Sequence, residues 1–359
     1  MQVKDAMIVA GGQGMRLRPL TLSTPKPLLP FCGAPLLAGM IGRLSVAGVK
    51  RVFLVVGADT KPFEALRADA ADAGVILELV DEPEPLDTAG GVRSVVDEID
   101  DTFLVLNGDI VTDVDLHAAI THHREHHAAA TLVLTRVADP SSYGLCVLDG
   151  TRIVDFVEKP TADALPGQDC INAGTYVLEP EALQGFPPGR LSFERTVFPG
   201  LVEDGARVEG LVSDAYWADL GTPERFLAGH KAALDGALRW PTVPDDVRKT
   251  GISTTATVAA DAIVVPPVLI ASGVSIGARA VVGPHVVVGE RGRIGPGVTV
   301  RDSVLFADSV LDTDAAELIL GFRARLSAGV RLEGGAVVGD DVSVDDPQVP
   351  AGARVGGAS

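Results

Sequence analysis

The sequence is poor in several features that would point to particular functions. It has three cysteines in 359 residues, Cys32, Cys146 and Cys170, odd in number and widely scattered. Neither a disulfide framework nor a cysteine-based metal site follows, and a reducing cytoplasm is the expected compartment. Long apolar runs are missing too. The longest, Ala262 to Ala271, has ten residues and contains two prolines, which is too short and too broken to span a bilayer. The opening Met-Gln-Val-Lys-Asp lacks the charged-then-apolar pattern of a secretory signal. Lysine is scarce, with seven in all, and the formal net charge is −18. That balance argues against nucleic acid as a partner, and neither nucleic acid nor membrane is expected. It also means that a bound polyanion needs a local patch of cations or a metal.

What is present divides the chain in two. Residues 1–238 alternate two kinds of segment. Short runs rich in Val, Ile and Leu lie at 6–10, 52–56, 75–80, 103–106 and 131–135. Between them apolar residues recur three or four apart, as at Leu37, Met40, Ile41 and Leu44. The alternation predicts an α/β domain with a mostly parallel sheet. Ligands of such sheets bind outside the carboxyl ends of the strands. Residues 239–250, with two prolines and a charge cluster, break the helical period and read as a linker. From 251 to 359 the period becomes six. Ile252, Val258, Val264, Ile270, Ile276, Val282, Val288, Ile294 and Val300 are evenly spaced, and the register slips and resumes at Leu320, Leu326, Leu332, Val338 and Val344. This predicts a hexapeptide solenoid with an aliphatic column inside. It resembles the left-handed parallel β-helix of hexapeptide-repeat proteins.

The first strand run leads into AGGQGMRLRPLTLSTPKPLLP, residues 10–30, where glycines and cations crowd together. No Walker A string is present, and Leu17 stands where a dinucleotide fingerprint needs its third glycine. A different phosphate loop fits. Gly11, Gly12 and Gly14 let backbone amides approach phosphate oxygens, and Arg16 and Lys26 supply charge. A tight turn with solvated cations is the competing reading of these residues alone.

The whole string GGQGMRLRPLTLSTPKP resembles the signature of the sugar-1-phosphate nucleotidyltransferases, also called NDP-sugar pyrophosphorylases. NGD at 107–109, VEKP at 157–160, INAGTYV at 171–177 and WADLGTPE at 217–224 resemble further motifs of that family, in family order. A solenoid after the catalytic domain is also a family arrangement. The resemblance implies a Rossmann-like nucleotidyltransferase domain. It implies attack of a sugar 1-phosphate on the α-phosphate of a nucleoside triphosphate, with loss of pyrophosphate. Asp109 and Asp219 would hold Mg²⁺, which favours carboxylate and phosphate oxygens. Arg16 and Lys26 would contact the triphosphate and Lys159 the sugar phosphate. Tyr143, Gly144, Glu158 and Asn172 would recognise the sugar. Glu82, Pro85, Asp87, Thr88 and Gly90, in EPEPLDTAGG, would lie beside the base.

Pro85-Leu86 followed by Thr88-Ala89-Gly90 resembles the mannose-1-phosphate guanylyltransferase pattern, so GTP and mannose 1-phosphate are expected. ATP with glucose 1-phosphate is the alternative, as is a cyclitol 1-phosphate such as valienol 1-phosphate. Asp87 replaces the usual glycine and reads as a helix N-cap or as a ligand reader. Met15 replaces a hydroxyl residue. HHREHH, 122–127, pairs His122 with His126 and His123 with His127 at i,i+4, without an evident third metal ligand, and reads as an exposed helix end. His285 raises a fused acyltransferase as a second enzyme class, and a non-catalytic regulatory homologue is a third reading. The solenoid is expected to mediate subunit contacts in a homo-oligomer.

Overall fold

The computed structural model describes residues 3–160, 169–243 and 251–356. The chain forms two compact units, Met1–Gly12 with Met40–Trp217, and Gln13–Gly39 with Ala218–Ser359. The part of the expected linker at 244–250 lies outside the described residues. No helix among the described residues is long and apolar enough to cross a membrane.

The first unit is built on a nine-stranded sheet. Its spatial order is Ile76–Glu82, Arg51–Gly57, Asp5–Val9, Phe103–Asn107, Cys170–Leu178, Ala130–Arg136, Val208–Val212, Arg152–Glu158 and Gly144–Asp149. The first four strands are mutually parallel. Their apolar runs are continuous rather than alternating because helices cover both faces of such a sheet, and Val52 to Val56 are all buried. Beyond them the sheet is mixed. Gly144–Asp149 and Arg152–Glu158 pair antiparallel across a two-residue turn in which Gly150 takes φ 63°, a left-handed value natural for glycine. The helix Leu116–Glu125 is capped by Asp115, whose carboxylate accepts from the backbone N–H groups of His117 and Ala118.

In the second unit the described part of the solenoid is a stack of short parallel strands in three sheets of six, four and six strands, with a further two-stranded sheet pairing Arg331–Leu332 with Gln348–Val349. The hexapeptide period sets the register. Ile276 pairs with Ile294, three hexapeptides on, but Ile294 pairs with Leu311, 17 residues on, and Leu311 with Leu326, 15 on. The full repeat of 18 returns between Leu326 and Val344. Two shortened coils therefore cause the slip after Val300. The column itself is buried from Ile270 to Val300 and again at Leu320, Leu326, Val338 and Val344, while Val258, Val264 and Leu332 are partly covered. Each fully buried side chain of the column contributes about 1.5–3 kcal/mol by leaving water. The corners demand left-handed backbone, found at Arg279, His285 and Arg291, six residues apart. His285 is thus a corner residue, flanked by Asp235 at 2.8 Å and Asp302 at 3.3 Å.

The helix Pro223–Asp235 shows how a motif can be partly structural. Thr222 caps it by accepting from the Arg225 N–H, Pro223 opens it, and Gly236 closes it at φ 70°. Trp240, at the start of the expected linker, is buried against Phe31, with ring centroids 5.4 Å apart.

Candidate functional site

In the first unit the candidate residues gather at the carboxyl ends of the parallel strands. Val9 pairs with Asn107, so Gly11 and Gly12 leave one strand beside the turn that carries Asp109. Gly108 lets these ends close up: its N–H donates to the Val9 carbonyl at 2.8 Å, and a Cβ there would sit 2.9 Å from that oxygen. Gly11 is next to Glu82 and Gly12 is open; a Cβ on Gly11 would be 3.1 Å from Glu82 Oε2. Glu82 ends its strand and is buried. Burial pushes its carboxyl above the usual range, and the Gly91 backbone N–H pulls it part of the way back.

The segment after Glu82 departs from the capping expectation. Asp87 opens the helix Asp87–Val95, but no side chain caps it. The reason is the backbone: Asp87 has φ 66°, so its carboxylate folds onto the neighbouring Thr88 N–H instead of the helix's open donors. The left-handed value also explains why glycine suits this position. The Asp87 carboxylate lies 3.7 Å from Arg190 and 3.9 Å from Arg195. We expect Asp87→Gly to leave the thermal midpoint unchanged or raised. A true cap replaced by glycine would instead lower stability by a few tenths of a kcal/mol, whereas relief of the left-handed backbone strain raises it by about 1 kcal/mol, so the sign of the shift in thermal unfolding decides. Thr88 is committed to structure: its hydroxyl donates to Glu194 at 2.6 Å and accepts from the Phe193 N–H at 2.9 Å. Gly90 permits close packing, since a Cβ would overlap the Gly189 carbonyl. Pro85 is exposed.

Residues expected at the sugar form a second group in this unit. The Lys159 N–H donates to the Tyr143 carbonyl at 3.0 Å, and the Tyr143 ring meets Trp217 edge-on at 5.4 Å. Lys159, at φ 49°, turns its ammonium to within 3.8 Å of Glu158. A Cβ on Gly144 would run into the Phe156 ring and reach 3.2 Å from Glu158 Oε2. Burial, then the charge of Glu194, raises the Glu158 carboxyl, and Lys159 and Arg195 oppose the rise. Asn172 donates to the Tyr176 hydroxyl and accepts from the Gly174 N–H, so its amide is held at both ends.

The second unit holds the cations of the signature segment. Gly14 is left-handed at φ 59°, and a Cβ there would press on Lys26 and Thr21 at about 3 Å. Thr21 closes the loop by donating to the Gly14 carbonyl at 2.9 Å. Arg16 and Lys26 both reach Asp219, each at 3.4 Å, and Arg225 reaches it at 2.9 Å. Strong charge-assisted bonds run at about 2.7–2.9 Å. Of these three contacts to Asp219, that of Arg225 is the firm one, and those of Arg16 and Lys26 are longer. Met15 is exposed.

The far end of the solenoid braces this loop. Arg354 donates to the carbonyls of Arg16 and Arg18, and Ser23 and Thr24 hydrogen-bond Asp340. Pro19 packs on Gly339 and Gly356. Arg225, Arg354 and Asp340 were not singled out in the sequence. For Arg225 a signal existed, since it lies in the first turn of the helix that WADLGTPE opens. We expect Arg354→Ala to lower turnover about 10-fold while the column keeps the fold, because two loop carbonyls lose their donor. Steady-state rates beside a thermal melt would check this.

Comparison with known proteins agrees with these features. Residues 5–236 match the family described as Nucleotidyl transferase, and residues 252–355 match the GMPPB C-terminal domain. A mannose-1-phosphate guanylyltransferase of Mycobacterium tuberculosis is 43% identical over 238 residues. A mannose-1-phosphate guanylyltransferase catalytic subunit beta of Danio rerio is 37% identical over 230 residues. These matches span 65% and 63% of the relatives' own lengths, and 65% and 62% of this chain. The catalytic subunit beta of Drosophila pseudoobscura pseudoobscura is 36% identical over 355 residues, 98% of this chain and 92% of the relative. Among solved structures, HddC from Yersinia pseudotuberculosis complexed with GMP-PN aligns at TM-score 0.54 and 26% identity, over 63% of this chain and 98% of that one. With both the catalytic motifs and the solenoid matched, the chain belongs to the nucleotidyl transferase family.

Proposed function

We propose that this protein transfers GMP from GTP to mannose 1-phosphate, giving GDP-mannose and pyrophosphate. The observation that carries the reading is the convergence of Arg16, Lys26 and Arg225 on Asp219 in the signature loop. Such a reaction asks little covalent work of the protein and much neutralisation of phosphate charge. Arg16 and Lys26 are the groups assigned to the departing pyrophosphate. Lys159 neutralises the phosphate of the sugar, and Glu158 and Asn172 face its hydroxyls. Glu82 accepts from the N1–H and N2–H donors of guanine, a pair that adenine lacks.

Asp109 and Asp219 are assigned to Mg²⁺. Two carboxylates supply the hard oxygen donors that this ion takes, and the cations around Asp219 are those a triphosphate would draw away. Bound there, Mg²⁺ would neutralise phosphate charge and raise the electrophilicity of the α-phosphorus. We infer the catalytic domain to be residues 1–238, the linker 239–250 and the solenoid 251–359, in a cytoplasmic homo-oligomer. Its three cysteines are buried free thiols.

The test is pyrophosphate release from four nucleoside triphosphates against mannose, glucose and cyclitol 1-phosphates with Mg²⁺. GTP with mannose 1-phosphate should give the highest kcat/KM. A higher value for ATP with glucose 1-phosphate, or for a cyclitol phosphate, would replace the substrates named here. No release from any pair would remove the enzymatic reading.

A further inference from the structure

The histidine run at 122–127 separates, once folded, into two unlike pairs. His123 is buried and fully used: Nδ1 bonds Thr131 Oγ1 at 2.9 Å and Nε2 bonds Glu179 at 3.0 Å. His127 is exposed and follows the helix at φ 48°. His122 and His126 instead share one helix face, with ring centroids 4.2 Å apart. The third ligand that the sequence did not reveal comes from another element. Glu209, on the strand Val208–Val212, is fully buried and faces them. One donor atom from each of His122, His126 and Glu209 lies within 4.8 Å of the others.

Hydrogen bonding leaves this cluster incomplete. Glu209 Oε1 accepts from Arg207 Nε at 2.8 Å, but Oε2 has no hydrogen-bond partner, and neither has His122 Nε2. The two buried atoms lie 3.6 Å apart, too far for a hydrogen bond. His126 Nδ1 bonds the His122 carbonyl at 2.9 Å, which leaves Nε2 as its free ring atom.

We propose that His122, His126 and Glu209 bind a transition-metal dication of the zinc class, through two imidazole nitrogens and one carboxylate oxygen. Zn²⁺ is bound at about 2.0–2.2 Å by such donors, which sets them roughly 3.4 Å apart, within reach of small side-chain rotations. The donor set disfavours Mg²⁺, which takes oxygen ligands. The ion clamps the helix Leu116–Glu125 to the strand Val208–Val212, through a pair of elements that the proposed transfer reaction does not use.

The experiment uses untagged full-length protein stripped by a chelator, titrated with Co²⁺ as a coloured probe and with Zn²⁺ by calorimetry, in excess Mg²⁺. One equivalent of Co²⁺ should give the intense visible absorption of a low-coordinate nitrogen-ligated ion, and Zn²⁺ should abolish it and raise the thermal midpoint. His126→Ala, at a partly exposed helix end, should weaken Zn²⁺ binding about 10²-fold or more while keeping the parent's circular dichroism and pyrophosphate release. Should it not fold, His122→Asn is the second variant. No Zn²⁺ binding by the parent, or undiminished binding in the folded variant, would overturn the site.

Discussion

Asp219→Asn should lower turnover about 10³-fold, near 4 kcal/mol of transition-state stabilisation, while the protein still folds. The side chain it replaces is 14% exposed and receives Arg16, Lys26 and Arg225 on its two oxygens. Neutralising it removes the anion that orders those cations before substrate arrives. Lys26 feels the change, since it is only 8% exposed and a nearby carboxylate offsets part of the cost of burying its ammonium. Removing a proposed Mg²⁺ ligand adds to the loss. The two contributions separate by titration. A ligand role predicts that high Mg²⁺ partly restores the rate in Asp219→Asn, and that Arg225→Met leaves the Mg²⁺ requirement unchanged. Normal turnover in Asp219→Asn would take the residue out of the reaction. A low rate with the parent's Mg²⁺ dependence would leave it only the ordering of the cations.

The features legible in the sequence were those written in local spacing. The hexapeptide column could be read because each coil repeats the same six-residue demand, and it failed between Val300 and Leu320 because two coils are shortened to 17 and 15 residues. The glycine–cation loop could be read because close approach and charge lie within one stretch. Pairings across the fold were not legible. Nothing near Arg354 or Asp340 announces that they hold carbonyls and hydroxyls of residues 16–24. Glu209 reads as one more strand residue until the sheet sets it against His122. Asp87 misled for a different reason. Aspartate before a helical stretch suggests a cap, but a capping residue takes extended backbone, and this one takes φ 66°. Only backbone geometry could distinguish the two.

Glu82→Gln should weaken the preference for GTP by about 10- to 150-fold in kcat/KM, the equivalent of about 1.5–3 kcal/mol for a hydrogen bond to a charged group. Gln offers one acceptor and one donor where the carboxylate offers two acceptors, so one guanine N–H would face an N–H. Adenine, with a donor beside an acceptor, would be served no worse than before. Stability should move the other way. Burial raises the Glu82 carboxyl in the folded chain, so its charged form opposes folding. For a raised carboxyl, the favourable contribution is fully present below the ordinary carboxylate range and is lost as pH climbs through the folded value. Gln carries no charge to bury. The variant should therefore melt higher than the parent at pH 7–8, and the gain should shrink as pH falls towards and below about 4.3, the ordinary Glu value. The two readouts are independent. A thermal gain with unchanged nucleotide ranking would confine Glu82 to the packing of Gly11 and Gly91. A lost GTP preference with no thermal change would mean that burying the Glu82 carboxylate costs the folded chain little, the Gly91 N–H offsetting the burial.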